Sequence, residues 1–392
     1  MAPRVSRRIR VAHVATIDMT VRALLLPQLR GLRGAGFDVS AVSASGPNIR
    51  EVEAEGIRHI PWKHVTRAWD PKADARAFFE LVGILKRERF DIVHTHNAKP
   101  GVMGRVAARL VRIPCVVNTV HGFDATLEDR IAKRVAFMGA EWVGAQFSDL
   151  EFYQGSADLL RARRLRMIRG SKGVFLGNGT DVSRFDRRSV DPARIGALRK
   201  ELDLPFGSCV VGTIGRLVGD KGYRELFTAA RKVRQGVPNV RFVAIGGTDP
   251  AKDDAITQRE MEREAENFTF VGWREDVPEL LALMDVFVLP SWREGVPRSA
   301  IEASSMGIPL VLSDIPGCRQ VARDGIEGIL VPPRDSDRLA SAIVRLLQDA
   351  ELRHRMGAAA RARAVERFDE RGVVRIILDE YERLVARKGL RA

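Results

Sequence analysis

Short apolar segments alternate with helical segments along this chain, and this alternation constrains the fold more than any other feature. In the first half the apolar segments are Ile9–Ala15, Asp38–Ser43, Asp91–Thr95 and Cys115–Thr119, and the helical segments are Val21–Ala35, Pro71–Arg89 and Gly101–Arg112. The apolar segments lack polar alternation, which is typical of strands buried on both faces. The pattern predicts a parallel sheet with helices on both sides.

The same pattern begins again near residue 208. The expected strands there are Cys209–Ile214, Arg241–Ile245, Val286–Pro290, Leu310–Ser313 and Gly328–Val331, with a helix over Tyr223–Gln235. We therefore predict an α/β chain with two doubly wound, Rossmann-like domains, residues 1–180 and 181–365, that face each other across a cleft. Gly177–Pro205 is interpreted as the connection, and residues 366–392 as a C-terminal helix that packs back on the first domain. Ligands of such sheets bind outside the carboxyl ends of the strands, so the site is expected in the loops that follow strands.

The net charge is +14 with a pI near 10.3, and the excess lies in the first half. Residues 1–180 hold 29 lysines and arginines against 17 aspartates and glutamates. This asymmetry indicates an anionic partner for the first half: a nucleic acid, an acidic lipid surface or a phosphorylated substrate. The three cysteines form no C-x-x-C pair, which argues against a disulfide framework and fits a reducing, cytoplasmic compartment.

The start of the chain is basic, but the following apolar stretch contains His13 and ends at Asp18, so it resembles a first strand rather than a signal sequence. No run of 18 uncharged apolar residues occurs, and we expect no membrane span.

Two loops of the second half carry residues suited to a phosphate group and to a ligand with several hydroxyl groups. Gly215–Gly222 follows a strand and offers Arg216 and Lys221 among glycines, just before a helix. Glycines allow close backbone approach to a phosphate, arginine binds it bidentately, and a helix N-terminus adds positive charge. The loop Pro290–Pro297 carries Glu294, and Glu302 lies two helical turns later, a carboxylate pair that can accept hydrogen bonds from hydroxyl groups. A turn with solvated cations and two unrelated glutamates are the simpler alternatives.

Histidines mark two loops of the first half. His121 follows the strand that starts at Cys115, where a structural role and a ligand role are both open. His94 and His96 share one strand face, but no third histidine or carboxylate is near in sequence, so we expect no metal site. The cluster Gly177–Asp181 is a turn in the connection.

In order along the chain, these residues resemble the family 4 glycosyltransferases of GT-B fold, retaining enzymes that use nucleotide sugars (glycosyltransferase group 1). The segments that carry the resemblance are His94-Thr95-His96, Lys99 to Arg105, Thr119 to Phe123, Gly177 to Asp181 with Phe185, Arg216-x4-Lys221-Gly222, and Glu294-x7-Glu302. They span nearly the whole chain.

The resemblance implies a role for each matched residue. Arg216 and Lys221, with Gly215, would hold the donor diphosphate, and Glu302 would bind the ribose hydroxyls. Glu294 and the amides of Gly295, Val296 and Pro297 would hold the donor sugar, while the amides of Ser299 and Ala300 would meet the β-phosphate. The loop Gly272–Arg274, with Trp273, would border the base, and His121 would touch the sugar or its phosphate. The implied catalytic set is thus His121, Arg216, Lys221 and Glu294, with no metal and no cofactor beside the nucleotide-sugar co-substrate.

The first loop departs from the family pattern, in which many relatives carry a Gly-Gly pair. Here it is Thr16-Ile17-Asp18-Met19-Thr20. Thr16, Asp18 and Thr20 could bind acceptor hydroxyls, or Asp18 and Thr20 could cap the next helix, which is the interpretation we prefer. With His96, Asn97 and Lys99, Thr16 and Asp18 complete the expected acceptor-binding set.

The first half looks most like members that extend polyprenyl-diphosphate-linked glycans in polysaccharide or glycoconjugate synthesis, with a UDP-sugar as the expected donor. That acceptor would explain the basic charge, and it predicts peripheral association with the inner leaflet of the membrane. Basic residues for such a surface are Arg105, Arg109, Arg112, Arg161, Arg163, Arg164, Arg166 and Arg169, near Leu159, Leu160 and Leu165.

The alternatives within the fold are transfer to a small soluble acceptor and nucleotide-sugar epimerisation. A nucleic-acid-binding protein is disfavoured, because aromatic residues are only 6% of the chain and no zinc-finger spacing occurs. An NAD(P) dehydrogenase is disfavoured because no Gly-x-Gly-x-x-Gly follows the first strand.

Overall fold

The computed structural model describes residues 7–68, 70–123, 131–250 and 252–390. Residues 1–6 of the basic start and Asp124 of the His121 loop lie outside these ranges. The chain divides into two compact units: unit 1 comprises Met1–Gly177 and Arg371–Ala392, and unit 2 comprises Asn178–Glu370. These boundaries differ by a few residues from the expected ones.

Unit 1 is built on a parallel sheet, which has seven strands among its described residues, in the order β3-β2-β1-β4-β5-β6-β7. The strands are β1 (Arg10–Val14), β2 (Asp38–Ser43), β3 (Arg58–Pro61), β4 (Ile92–His96), β5 (Cys115–Val120), β6 (Leu150–Tyr153) and β7 (Gly173–Phe175). The helices are α1 (Asp18–Thr20), α2 (Leu26–Gly34), α3 (Ile49–Ala54), α4 (Pro71–Glu88), α5 (Ala98–Leu110), α6 (Ile131–Gln146) and α7 (Ser156–Arg164), with a π-turn over Val21–Leu25. The order reverses between β1 and β4, as the doubly wound pattern predicts.

Unit 2 repeats the architecture with a parallel sheet that has six strands in the described part of the chain, in the order β10-β9-β8-β11-β12-β13. The strands are β8 (Cys209–Ile214), β9 (Val240–Ile245), β10 (Phe268–Gly272), β11 (Val286–Leu289), β12 (Leu310–Ser313) and β13 (Gly328–Val331). The helices are α8 (Pro192–Glu201), α9 (Tyr223–Gly236), α10 (Gln258–Glu264), α11 (Val277–Ala282), α12 (Arg298–Ser305), α13 (Pro316–Val321), α14 (Ser336–Gln348) and α15 (Ala350–Arg367).

The connection is more structured than expected. Gly177–Pro205 contains α8, and Leu198 and Leu202 on that helix are buried in the core of unit 2. Asp191 caps α8 by accepting from the backbone N–H of Ala193, with Pro192 at the first helical position. The segment is therefore part of unit 2 rather than a free linker.

The C-terminal region consists of two helices, and the second of them is the expected C-terminal helix. α15 ends at Arg367, the backbone of Phe368 and Glu370 bonds to Thr180, and α16 (Glu370–Arg387) follows. On α16, Val373, Ile377, Tyr381 and Leu384 are buried in the core of unit 1. Their spacing of four, four and three residues places them on one face of the helix, which explains why this segment belongs to unit 1.

No helix within the described ranges combines the length and the apolar character that a membrane span requires.

Candidate active site

The two predicted nucleotide loops of unit 2 lie on either side of the point where its sheet reverses. The loop Gly215–Gly222 follows β8, and the loop from Pro290 follows β11, the neighbouring strand. In open α/β sheets this position is where ligands bind. The loops also bond to each other: the N–H of Trp292 donates to the Asp220 carbonyl over 2.9 Å, and the Arg293 guanidinium lies 3.2 Å from the Asp220 carboxylate.

Close backbone packing fixes these loops. Gly222 has φ of 74° and begins α9, and a Cβ there would overlap the carbonyl oxygen of Pro290. A Cβ on Gly317, at the start of α13, would overlap the carbonyls of Glu294 and Gly295. Only glycine satisfies these approaches, so the loop after β11 is held between the starts of α9 and α13.

Lys221 and Glu294 meet in this region. Lys221 Nζ donates to Glu294 Oε1 over 2.5 Å, and the Ser291 hydroxyl donates to the same oxygen over 2.8 Å. Both charged side chains are mostly buried, with 20% and 11% of their area exposed. Each lies on a different loop, so the pair holds a cation and a carboxylate together at the ends of two central strands.

Arg216 lies at the opposite end of the β8 loop and is more exposed. Its guanidinium donates to Asp249 Oδ2 over 2.6 Å, and Asp249 follows β9. A guanidinium carries five N–H donors, so the contact with Asp249 orients Arg216 and leaves donors for a phosphate. The carbonyl of Gly215, the residue immediately before Arg216, accepts a hydrogen bond of 3.0 Å from the Tyr223 hydroxyl.

The N-terminus of α12 provides backbone donors next to Glu294. Pro297 is the N-cap residue, and within the described part of the chain no side chain caps this terminus, so the N–H groups of Ser299 and Ala300 can meet an anion. Pro297 has no N–H, so the expectation that its amide donates to a sugar was wrong. The donors of that loop are those of Gly295 and Val296.

Asn178 is a site residue that the sequence did not reveal. It belongs to the cluster Gly177–Asp181, which we interpreted as a turn in the connection. Its side-chain amide donates to the Val296 carbonyl over 2.9 Å, and so supports the loop that leads into α12. The Asn-Gly signal in the sequence indicated a turn, but no pattern connected it to a loop 118 residues away.

Glu302 lies on α12 and is only 13% exposed. Arg298 donates to it from one turn earlier over 3.0 Å. Burial nevertheless raises the pKa of Glu302, with the charge and the hydrogen bond of Arg298 opposing that shift. A desolvated carboxylate of this kind is a strong acceptor for hydroxyl donors of a ligand.

Gly272 ends β10 at the same edge of the sheet, and Trp273 follows it. The Gly272 carbonyl accepts from the Gly246 N–H after β9 over 2.8 Å, and the Trp273 side chain is 59% exposed. An exposed indole at this position is available to pack against a planar base.

In unit 1, His121 lies directly after β5 beside a cavity of about 110 Å³. Asn97, Asn118, Phe137 and Glu141 contribute to the cavity wall. Burial lowers the pKa of His121 to about 4, although a hydrogen bond with the Gln154 side chain acts in the opposite direction. The ring is therefore neutral at physiological pH.

The expected acceptor residues have different environments. Asn97 is partly exposed on the cavity wall, with a φ of 69°. Lys99 is buried, and its ammonium donates to the Thr66 carbonyl over 3.0 Å and to Asp74. His96 is buried with both ring nitrogens bonded to other histidines. The burial of Lys99 and His96 does not fit direct acceptor contact.

The loop after β1 also differs from its interpretation. Thr16 is 8% exposed. Asp18 does not cap a helix, because α1 begins at Asp18 itself after Ile17, and no side-chain cap bond forms there or at Thr20. The Asp18 carboxylate instead accepts from the backbone and side chain of Asn48, over 3.0 and 2.8 Å. Its bonds with Asn48 stabilise the loop before α3.

The fold adds a third histidine to His94 and His96. His13 lies on β1, the strand beside β4, in register with His94, and ring nitrogens of the three fall within 4.8 Å of one another. Sequence proximity alone could not show this, because two strands and four helices lie between β1 and β4 along the chain. The spacing is compatible with metal ligation, but the nitrogens already bond to one another and to neighbouring hydroxyls.

Comparisons with known proteins agree with this geometry. The profile of the family "Glycosyl transferases group 1" matches residues 208–349, and that of the "Glycosyl transferase 4-like domain" matches residues 21–195. The chain belongs to the group 1 glycosyltransferases, and it is an enzyme of GT-B fold. It is 28% identical over 350 residues to the UDP-Gal:alpha-D-GlcNAc-diphosphoundecaprenol alpha-1,3-galactosyltransferase of Escherichia coli, covering 88% of this chain and 89% of that one.

Two further similarities extend over almost the whole length. The chain is 22% identical to the N,N'-diacetylbacillosaminyl-diphospho-undecaprenol alpha-1,3-N-acetylgalactosaminyltransferase of Campylobacter jejuni, covering 96% and 99% of the two chains. Its fold matches the crystal structure of Anabaena HepE in complex with UDP and glucose with a TM-score of 0.82, at 20% identity, covering 96% and 100%. The predicted family and fold class are confirmed.

Proposed function

We propose that this glycosyltransferase moves a sugar from a UDP-sugar to a polyprenyl-diphosphate-linked glycan, with retention of configuration, in the synthesis of a cell-surface polysaccharide or glycoconjugate. The observation that carries the proposal is the arrangement at the ends of β8 and β11. There the Lys221–Glu294 pair, the uncapped start of α12 and Arg216 offer both cationic donors and a carboxylate acceptor.

Lys221, Arg216 and the first-turn amides of α12 would bind the diphosphate of the donor. Negative charge on that group increases as the bond to the sugar breaks, so donors in fixed positions bind the transition state more tightly than the ground state. The ion pairs with Glu294 and Asp249 hold the two cations in place before the donor arrives. We propose that these groups, rather than a metal ion or a bound cofactor, neutralise the leaving diphosphate.

Glu294 would orient the donor sugar. Both of its contacts described above reach Oε1, so Oε2 can accept from a sugar hydroxyl. Glu302 would accept from the ribose hydroxyls, and Trp273 would lie against the base. His121 would contact the sugar or its phosphate as a neutral ring.

The cavity beside His121 is the proposed site of the acceptor hydroxyl. Asn97 and Glu141 supply polar groups to its wall, and Phe137 and Met138 supply apolar ones. The two bacterial relatives named above act on sugars attached to undecaprenyl diphosphate, according to their names, which supports an acceptor of this class.

Product analysis tests the proposal. Purified protein is incubated with UDP- and GDP-sugars and an undecaprenyl-diphosphate-linked monosaccharide, and lipid products are analysed by mass spectrometry and NMR. We expect one UDP-sugar to give a lipid-linked disaccharide with retained anomeric configuration. Epimerised nucleotide sugar without any acceptor-dependent product would contradict the proposal, as would transfer only to a soluble sugar.

We further propose peripheral association with the cytoplasmic face of the membrane through α6 and α7. Ile131, Val135 and Trp142 form an exposed apolar stripe on α6. Leu160 and Leu165 are also exposed, and arginines surround them: Arg163, Arg164, Arg166 and Arg169. Apolar side chains beside cations suit the boundary of an anionic bilayer.

Arg105, however, is not part of a basic surface. It is fully buried and pairs with Glu151 and Glu141, each over 2.7 Å. Leu110 on the same helix is exposed. The expectation that Arg105 lies on a basic surface was wrong, because nothing in the local sequence indicated that Glu151 would lie on a strand beneath Arg105.

A further inference from the structure

A chain of hydrogen bonds runs from His121 into the interior of unit 1. His121 Nε2 lies 3.1 Å from His96 Nδ1, and His96 Nε2 lies 2.9 Å from His13 Nδ1. His13 Nε2 is 3.5 Å from the Tyr381 hydroxyl, the longest contact of the chain. That hydroxyl lies 2.7 Å from His94 Nδ1, and His94 Nε2 lies 2.7 Å from the Thr119 hydroxyl.

Three strands and one helix provide these groups. His13 comes from β1, His94 and His96 from β4, Thr119 from β5 and Tyr381 from α16. Except for His121, at the edge of the cavity, all of them are at most 1% exposed. Burial lowers the pKa of each imidazole, so the rings are neutral at physiological pH.

Because the rings are neutral, the donors and acceptors along this chain of hydrogen bonds must all point in one direction. A neutral imidazole carries one N–H and one lone pair, so each nitrogen-to-nitrogen bond must contain a single proton. If His96 donates from Nδ1 to His121, its Nε2 must accept, and His13 must then donate from Nδ1. Continued through the Tyr381 hydroxyl, this rule makes all four histidines Nδ1–H tautomers. The opposite direction makes all four Nε2–H tautomers. A mixed arrangement can arise only at His94, where the Tyr381 oxygen would accept from both His13 and His94 and its own buried O–H would lose its partner.

We propose that His13, His96 and Tyr381 are positioning residues that fix the tautomer of His121 and so decide whether its Nδ1 presents a proton or a lone pair. The inference rests on the proposed function, in which His121 contacts the donor sugar. The buried hydroxyl of Tyr381 on α16 thereby determines whether the His121 ring at the cavity donates or accepts a hydrogen bond. Glycosyl transfer needs a fixed donor or acceptor at that position, because a ring that exchanges tautomers would lose part of its interaction with the sugar in the transition state.

The short contacts favour this interpretation over a metal site. A ring nitrogen whose lone pair accepts a hydrogen bond from its neighbour cannot give that lone pair to a cation at the same time. A divalent ion here would also be buried among neutral rings, and the described residues around them place no carboxylate within hydrogen-bonding distance of the ring nitrogens.

The tautomers can be measured directly, without any substrate. Full-length protein carrying 15N-labelled histidine is examined by long-range proton–nitrogen NMR correlation, which distinguishes Nδ1–H from Nε2–H rings. We expect His13, His94, His96 and His121 to show one common tautomer that is unchanged from pH 8 to pH 6. Mixed tautomers among His13, His96 and His121 would overturn the proposal, and so would stoichiometric Zn²⁺ binding that His13→Gln abolishes.

The variant Tyr381→Phe removes only the hydroxyl that lies between His13 and His94 in this chain of hydrogen bonds. We expect its His121 resonances to move toward an average of the two tautomers and its kcat to fall roughly tenfold, with an unchanged KM for the donor. Phe37→Leu is the matched control. The Phe37 ring lies edge-on to Tyr381 at 5.9 Å, so this variant loosens packing but keeps the hydroxyl, and it should leave the tautomer unchanged.

A fall in kcat for Tyr381→Phe without any change at His121 would assign Tyr381 a packing role only and overturn the inference. If the tautomers behave as predicted but no donor and acceptor pair gives transfer, the proposed function fails while the hydrogen-bond chain stands.

Discussion

Mild acid should destabilise unit 1 because it buries neutral histidines. Burial lowers the pKa of His13 to about 3 and that of His121 to about 4, and it lowers those of His94 and His96 well below the ordinary value. In the unfolded chain each would titrate near 6.5. Because the folded pKa values are depressed, the unfolded state binds more protons below pH 6.5, and the stability present at neutral pH is lost as the pH falls.

The magnitude follows from the number of rings. Between pH 7.5 and 5.5, each such histidine costs about 1.4 kcal/mol of unfolding free energy, so four cost about 5.5 kcal/mol. Carboxylates contribute little in this window, since most of them titrate below pH 5. The expected loss is comparable with the total stability of a typical domain.

Hydrogen exchange measured by mass spectrometry at several pH values, corrected for intrinsic rates, resolves the two units. Amides of β4 and β5 should lose protection from pH 7.5 to 5.5, whereas those of β8 and β11 should change little. His354→Gln, an exposed position on α15, should leave this dependence unaltered. Protection of β4 and β5 that stays constant across the window would refute the reasoning.

Three further predictions concern the donor site and the proposed membrane surface. Burial raises the pKa of Glu302, so ionisation of this residue reduces the stability of the wild type, and Glu302→Gln should gain unfolding free energy relative to wild type as the pH rises from 4 to 7. The same variant should weaken UDP-sugar binding. Denaturant titration and calorimetry test these two effects, and an equal stability difference at both pH values would contradict the first. Gly222→Ala should lower the unfolding free energy by roughly 2 kcal/mol or more and weaken donor binding, since the new Cβ overlaps Pro290. Gly236→Ala has open space around it and should change thermal stability little. Equal effects of the two substitutions on thermal unfolding would contradict the packing argument. The wild-type protein should sediment with anionic liposomes at low salt and dissociate from them at high salt. Trp142→Ser should bind these liposomes several-fold more weakly. Liposome binding that changes neither with salt nor with this substitution would contradict the assigned surface.

The parts of the fold that depend on local sequence could be predicted. β8, β12 and β13 match the expected segments to the residue, because each is a short, largely apolar run bounded by polar or turn-forming residues. The loops after β8 and β11 were likewise found from their glycines and charges. Adjacency of their strands then followed from the doubly wound order.

Features that depend on distant residues could not be predicted. His13 forms a hydrogen bond with His96, which is 83 residues away in the sequence, and His94 forms one with Tyr381, which is 287 residues away. Arg105 has the spacing of a surface residue but is buried by two acidic partners far along the chain. The local periodicity of the sequence indicates which face of a helix is apolar, but it does not indicate which polar groups of a neighbouring strand lie against that face.

Turnover by a Lys221 variant tests the central claim most directly, namely that the cations in the loop after β8 stabilise the leaving diphosphate. Lys221→Met should lower kcat by roughly two orders of magnitude, about 3 kcal/mol of barrier, and leave the fold intact. Lys232→Met, which removes a partly exposed lysine paired with Asp337 on the same unit, should retain wild-type kcat. Wild-type turnover by Lys221→Met would contradict the account.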